Sequence, residues 1–408
     1  MTGKVKRVLI ACYGGGHVQS LIPVVHALQE IPEIELVVLG FTTARMAFER
    51  VGIDALGYDS LLEESDEEWV DLVKPYLPEE THPDISQLET LAYYAIGLRD
   101  LVLSYGRESA LKLFSENGRR AFFPKNTFTL FLKKIAPDLV VTSTSPRSEL
   151  ALQHAAADLK IDALAISDLF LQHESEYICA SSYARNVTVM ADYVAESLKA
   201  KGYTGNLYVT GNPAFDDLSL INVKDGGNLR RRLGIAEQER LILWVCPSAP
   251  TSIIGKDFVQ PAVMLAHLEA FCEKQTNTRY LVRQHPSKPV LDRPLSSTSH
   301  GLLCPPLVAI EDCLSAADIV LLETSTVGLQ AALLGLPVVT IGAGDYPPYA
   351  QLGLSVDVPN LGSVEEALLR AKKPRLDLLS YPALDCSGAR VVEVICGLLG
   401  IMNSGVEV

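Results

Sequence analysis

Short apolar runs rich in Val, Ile and Leu recur along the chain, separated by stretches whose apolar residues fall at helical spacing. A strand inside a parallel sheet is covered on both faces, and the crossover to the next parallel strand is usually a helix. The pattern therefore predicts an α/β architecture. Candidate strands fall at 7–12, 35–40, 139–142, 163–167 and 207–210, then at 241–246, 279–283, 319–322 and 338–342. The two groups are similar in size, which predicts two doubly wound sheets.

Thr210-Gly211-Asn212-Pro213 directly follows a strand, and Asp225-Gly226-Gly227 lies just downstream, so the junction is expected here. The expected domains are 1–212 and 213–385, followed by a C-terminal helix in 386–408 packing across both. The most apolar stretch, 327–343, is broken by Gln330, Gly335 and Pro337 and reads as helix, turn and strand rather than a membrane span. The run 8–12 is too short for a signal-peptide core and empties into three glycines. A cytoplasmic protein is expected.

Composition narrows the classes. The 408 residues are 48% hydrophobic, enough for more than one core and too apolar for disorder. The formal net charge of −14 argues against a general nucleic-acid binder, which needs a basic footprint. That charge is uneven: residues 51–100 hold thirteen acidic side chains against Lys74 and Arg99, whereas 101–150 hold eight basic against four acidic. The basic segment leaves room for peripheral association with the inner membrane face. Eight cysteines without a CxxC pair or metal-ligand spacing read as reduced core thiols. No metal and no cofactor is expected.

Four loops carry candidate chemistry. Tyr13-Gly14-Gly15-Gly16-His17 follows the first strand and opens a helix, where amides and dipole favour a polar or anionic ligand. It is neither a dinucleotide fingerprint, since Gln19 stands at the third glycine and the second strand ends at Gly40 without an acid, nor a P-loop. His17 at the loop's mouth can take a proton near neutral pH. In the second half, Ser248, Thr251 and Ser252 follow one strand, and Arg283, His285 and Lys288 follow the next. Glu323-Thr324-Ser325-Thr326 ends a third, where hydroxyls at a helix start make an anion site. Residues 301–350 contain no Lys or Arg, so a diphosphate there would rest on amides, hydroxyls and the Arg283–Lys288 cluster.

At these residues the sequence resembles the GT-B glycosyltransferases, two Rossmann-like domains facing a cleft. Gly14-Gly15-Gly16-His17 with Pro23 is similar to the glycine loop of the lipid II N-acetylglucosaminyltransferase. Gly211-Asn212-Pro213 with Asp216 is similar to the interdomain strand of galactolipid synthases and UDP-N-acetylglucosamine 2-epimerases. Ser325 to Pro337 matches the family's hydroxyl-rich turn, helix and G-x-P. The resemblance spans the chain as short motifs. It implies His17 as catalytic base and Ser325, Thr326 and Asp345 as donor ligands, with Gln330 at the ribose position; the loops themselves add Gly15, Gly16, Ser248, Thr251, Arg283 and His285 to the expected donor site, and Asp168 or Asp100 as the acid that orients His17. UDP-sugar enzymes usually have a Glu where Gln330 stands; an amide can bond a diol but without charge assistance. His285-Pro286 is similar to the motif of sialyl and CDP-glycerol transferases, so the implied donor is a uridine or cytidine nucleotide-sugar. The implied reaction is metal-independent, inverting transfer to a small-molecule, lipid-linked or glycan hydroxyl, as in cell-envelope polysaccharide, glycolipid or natural-product glycosylation. A nucleotide-sugar 2-epimerase or hydrolase, or a protein that only binds the nucleotide-sugar, are the alternatives. The oligomeric state is not readable.

Overall fold

Strands buried on both faces build two parallel sheets in the computed structural model, which describes residues 4–168, 170–221, 227–247, 259–275, 277–285, 289–291, 295 and 299–401. The chain divides into two units, residues 1–216 with 382–408 and residues 217–381. In the first, β1 (Lys6–Cys12), β2 (Ile34–Gly40), β3 (Leu139–Thr142), β4 (Asp162–Ile166), β5 (Asn186–Val189) and β6 (Asn206–Val209) lie in the order β2-β1-β3-β4-β5-β6. In the second, β7 (Arg240–Val245), β8 (Thr278–Arg283), β9 (Gly301–Leu303), β10 (Ile319–Leu322), β11 (Val338–Ile341) and β12 (Val356–Val358) lie in the order β12-β11-β10-β7-β8-β9. Every pairing is parallel.

Strand order reverses between β1 and β3 in one sheet and between β7 and β10 in the other. In open α/β sheets, ligands bind outside the strand C-termini at such switch points. Candidate residues after β1, β4, β8 and β10 therefore all lie on the binding edge of their own sheet.

Three strands escape the apolar pattern. In β5, Asn186 and Thr188 are buried, and the Asn186 amide donates to the Ala163 carbonyl at 3.2 Å. β9 has three residues. β12 is an edge strand whose Asp357 accepts from the Thr340 hydroxyl at 2.8 Å and the Ala343 amide at 3.0 Å.

The helix Ser387–Leu399, expected to pack across both domains, has its apolar face in the first unit. Val391, Val392, Ile395, Cys396 and Leu399 share a core with Val18, Leu21 and Val25 of the helix Gly16–Gln29. Asp216 accepts from the amides of Ser387 at 2.9 Å and Gly388 at 2.7 Å, and Arg390 donates to the Thr210 carbonyl at 2.6 Å. Gly211, at φ 85°, passes so close that a Cβ would lie 2.3 Å from the Ser387 hydroxyl. The Gly-Asn-Pro…Asp segment thus ties the first unit's exit to its returning helix. None of the eight cysteines is in a disulfide. Among the described residues, no helix is long and apolar enough to cross a membrane.

Asp216→Ala removes both amide bonds at the helix start and is expected to destabilise the protein by about 1–2 kcal/mol. Urea unfolding of the first unit's transition measures this, and an unchanged midpoint contradicts the cap.

Candidate active site

The glycine loop after β1 shapes the first site. Gly15 caps the helix Gly16–Gln29 at φ 75°, a conformation that favours glycine, and no side chain caps the first turn. A Cβ on Gly16 would stand 3.3 Å from Asp168 Oδ2, so glycine leaves the acid its room. Gly40 at the end of β2 lies against the next helix, where a Cβ would be 2.5 Å from the Arg45 amide.

β1 and β4 flank β3, and their loops bring His17 and Asp168 together. His17 Nδ1 lies 3.0 Å from Asp168 Oδ1; the side chains are 21% and 8% exposed. Asn212 supports the pair: its amide donates to the Asp168 carbonyl at 3.4 Å, and its Oδ1 accepts from the Ser20 hydroxyl at 2.9 Å. Asp100, the alternative orienter, works elsewhere. It accepts from the Asn126 amide at 2.6 Å and from the Thr127 hydroxyl, capping the helix Lys125–Ile135.

Glu149 is the first-unit residue that the sequence did not single out. It sits in the first turn of the helix Ser148–Asp158 and is 1% exposed. Its carboxylate accepts from the Tyr13 amide at 2.6 Å, the Ser143 hydroxyl at 2.6 Å and the Ser145 amide at 3.1 Å. Burial pushes its carboxyl up to about 6, against the pull of His17 and these donors. The neighbouring Arg147 has φ 73° and stands over the Tyr13 ring at 5.9 Å. A non-glycine residue in that region costs of order 1–3 kcal/mol, a sign that its surroundings enforce the turn.

Burial alone would lower the His17 imidazolium. The Asp168 charge and hydrogen bond, with Glu149 and Glu174 nearby, more than reverse that and raise it to about 9. His17 is therefore an imidazolium at neutral pH.

In the second unit, Arg283 ends β8 and donates to the Pro305 carbonyl at 3.4 Å, beside Cys304. His285 is exposed two residues on. Ser325 and Thr326 follow β10: the Ser325 hydroxyl accepts from the Val327 amide at 3.3 Å, and its carbonyl accepts from the Tyr349 hydroxyl at 3.0 Å. Gln330 is half-buried on the helix Val327–Leu333. Asp345 is exposed and accepts from the Gln351 amide at 2.7 Å. β8 and β10 flank β7, so their ends stand about 10 Å apart. Ser248, Thr251, Ser252 and Lys288 lie outside the described residues. No cluster of three His, Cys, Asp or Glu among the described residues could hold a metal ion.

Two parallel six-stranded sheets in one chain have close structural counterparts. The UDP-GlcNAc 2-epimerase of Methanocaldococcus jannaschii superposes with a TM-score of 0.59 at 14% identity, over 96% of this chain and 99% of that one. The UDP-GlcNAc 2-epimerase of Neisseria meningitidis, solved with UDP-GlcNAc bound, gives 0.58 at 14% identity over 96% and 99%. The calicheamicin glycosyltransferase CalG4 gives 0.56 at 14% identity over 98% and 100%. The chain has the GT-B fold. No protein-family model matches the sequence, and no curated protein matches it. Within this GT-B fold the first unit holds the linked polar residues His17, Asp168 and Asn212, with Glu149 near enough to act on the His17 charge, while the candidate residues of the second unit lie on loops spread along its own sheet edge.

The His17 C–H signals in NMR are expected to titrate with a midpoint near pH 9, and Asp168→Asn should bring it towards the ordinary histidine value of about 6.5. Because the folded value lies above the unfolded one, the pair stabilises the fold fully below about pH 6.5 and loses that contribution as pH rises through about 9. A wild-type midpoint near 6.5 would remove the ion pair.

Proposed function

We propose that the chain is a glycosyltransferase that moves a sugar from a uridine or cytidine nucleotide to an acceptor hydroxyl with inversion. The observation that carries this reading is the His17–Asp168 pair at the C-terminal edge of the first sheet. Nδ1 is engaged by the carboxylate, so Nε2 is the nitrogen turned to a substrate. Neutral His17 takes the proton from the acceptor oxygen, that oxygen bonds to the anomeric carbon, and the bond from that carbon to the phosphate oxygen breaks with its electron pair leaving on the nucleotide. Asp168 steadies the imidazolium that forms, the role a buried carboxylate plays beside a catalytic histidine. In the second unit, hydroxyls and amides of Ser325 and Thr326 and the charge of Arg283 suit the departing phosphate.

A second reading, a nucleotide-sugar epimerase, is favoured by the acids around His17. They hold it as an imidazolium, an acid able to protonate a departing oxygen. Similarity to the two epimerases above supports the fold for either chemistry.

Uridine or cytidine nucleotides at 100 times their dissociation constant are expected to add about 2.7 kcal/mol of stability; no shift with any nucleotide speaks against both readings. Nucleotide release that waits for an added hydroxyl acceptor supports transfer, and a new epimer without acceptor supports the alternative. His17→Ala should slow transfer by at least about 100-fold, leaving nucleotide affinity within about threefold. The wild-type kcat/KM should climb as pH approaches 9, where neutral His17 accumulates. Full turnover in His17→Ala would overturn the base.

A further inference from the structure

Glu323 is the residue after β10, on the binding edge of the second sheet beside the switch point. It is 4% exposed, and neither carboxylate oxygen has a hydrogen-bond partner. Burial, with no counter-charge among the described residues, pushes its carboxyl up to about 7. An unsatisfied acid in a native fold needs an explanation, because burying it unpaired is costly.

It lines a cavity of about 430 Å³ within the second unit, in the size range of small-ligand sites. Val263, Ile341 and Leu361 give apolar walls, and Gln260 adds an amide. Among the described residues that line it there is no Lys or Arg, which favours an uncharged ligand over a phosphate. What suits an apolar pocket with one two-oxygen acid is an uncharged ring whose adjacent hydroxyls donate to both oxygens. Ser325 is two residues on, so at most about 7 Å of chain separates its Cα from that of Glu323. A phosphate at Ser325 and Thr326 would bring an attached sugar ring within reach.

We propose that Glu323 is a recognition residue for a vicinal diol of the nucleotide-sugar, bound in this cavity of the second unit. The proposal rests on the nucleotide-sugar reading above. The diol belongs either to the ribose or to the transferred sugar, and the two respond differently to one set of titrations.

Calorimetry of the full chain with UDP, 2′-deoxy-UDP, UDP-glucose, UDP-GlcNAc and CMP compares wild type with Glu323→Gln and Glu323→Leu. If the transferred sugar is held, both variants weaken at least one UDP-sugar by about tenfold or more, while UDP stays within about twofold. If the ribose is held, UDP weakens with the UDP-sugars and the advantage of UDP over 2′-deoxy-UDP disappears. Glu323→Leu, which removes an unpaired buried acid, is expected to melt no lower than wild type. Glu323→Gln, near-isosteric, gives the same reading should the leucine fail to fold. A wild type that binds nucleotide while both variants bind every probe equally well overturns the Glu323 assignment alone. A wild type that binds none of the probes overturns the nucleotide reading and this assignment with it.

Discussion

The first unit's binding edge depends on one buried carboxylate, Glu149, bridging two neighbouring strand loops. Tyr13 follows β1 and Ser143 and Ser145 follow β3; all three donate to the same two oxygens. Charge-assisted bonds of this kind are roughly twice as strong as neutral ones, and losing the acceptor would strand several buried donors at once. The glycine loop gains its shape from φ-permissive residues but its position from this bridge. His17, four residues beyond Tyr13, inherits that position.

Local electrostatics set the two buried sites apart: neighbouring charge outweighs burial at His17, and burial prevails at Glu323. Around His17 three acids outweigh burial, so the imidazole stays charged. Around Glu323 no cation among the described residues answers the burial, which pushes the carboxyl up to about 7. The overall charge of −14 predicts neither state, because both are set by neighbours a few ångströms away. The acid-rich residues 51–100 spend part of their charge on structure, as where Arg45 bonds Asp59 at 2.8 Å and Asp66 pairs with Arg99.

Strands apolar on both faces, such as β1 and β10, were legible in the sequence because burial writes itself into every residue. β5 was not, since buried Asn186 and Thr188 break its apolar run, with the Asn186 amide bonded to the Ala163 carbonyl, and β9 and β12 are too short to show a period. His17 was legible because three glycines announce a loop. Asp168 was visible as an acid after a strand, yet so were others, and Asp100 turned out to cap a helix. Glu149 gave no signal: it sits 136 residues from Tyr13, and nothing local marks it as their shared partner. Glu323 read as one more loop residue because missing partners cannot be seen in a sequence.

The return of residues 382–408 to the first unit gives the chain an insertion topology. The first unit is discontinuous, and the second, residues 217–381, is threaded into it between Asp216 and Pro382. A ribosome releases the second unit's sequence before the helix that completes the first unit's core exists. Until Ser387–Leu399 has been made, the core around Val18, Leu21 and Val25 lacks the side chains of Val391, Val392, Ile395, Cys396 and Leu399. Completion of the first unit's core is thus tied to translation through Leu399, whereas the second unit is contiguous and has all its residues available earlier.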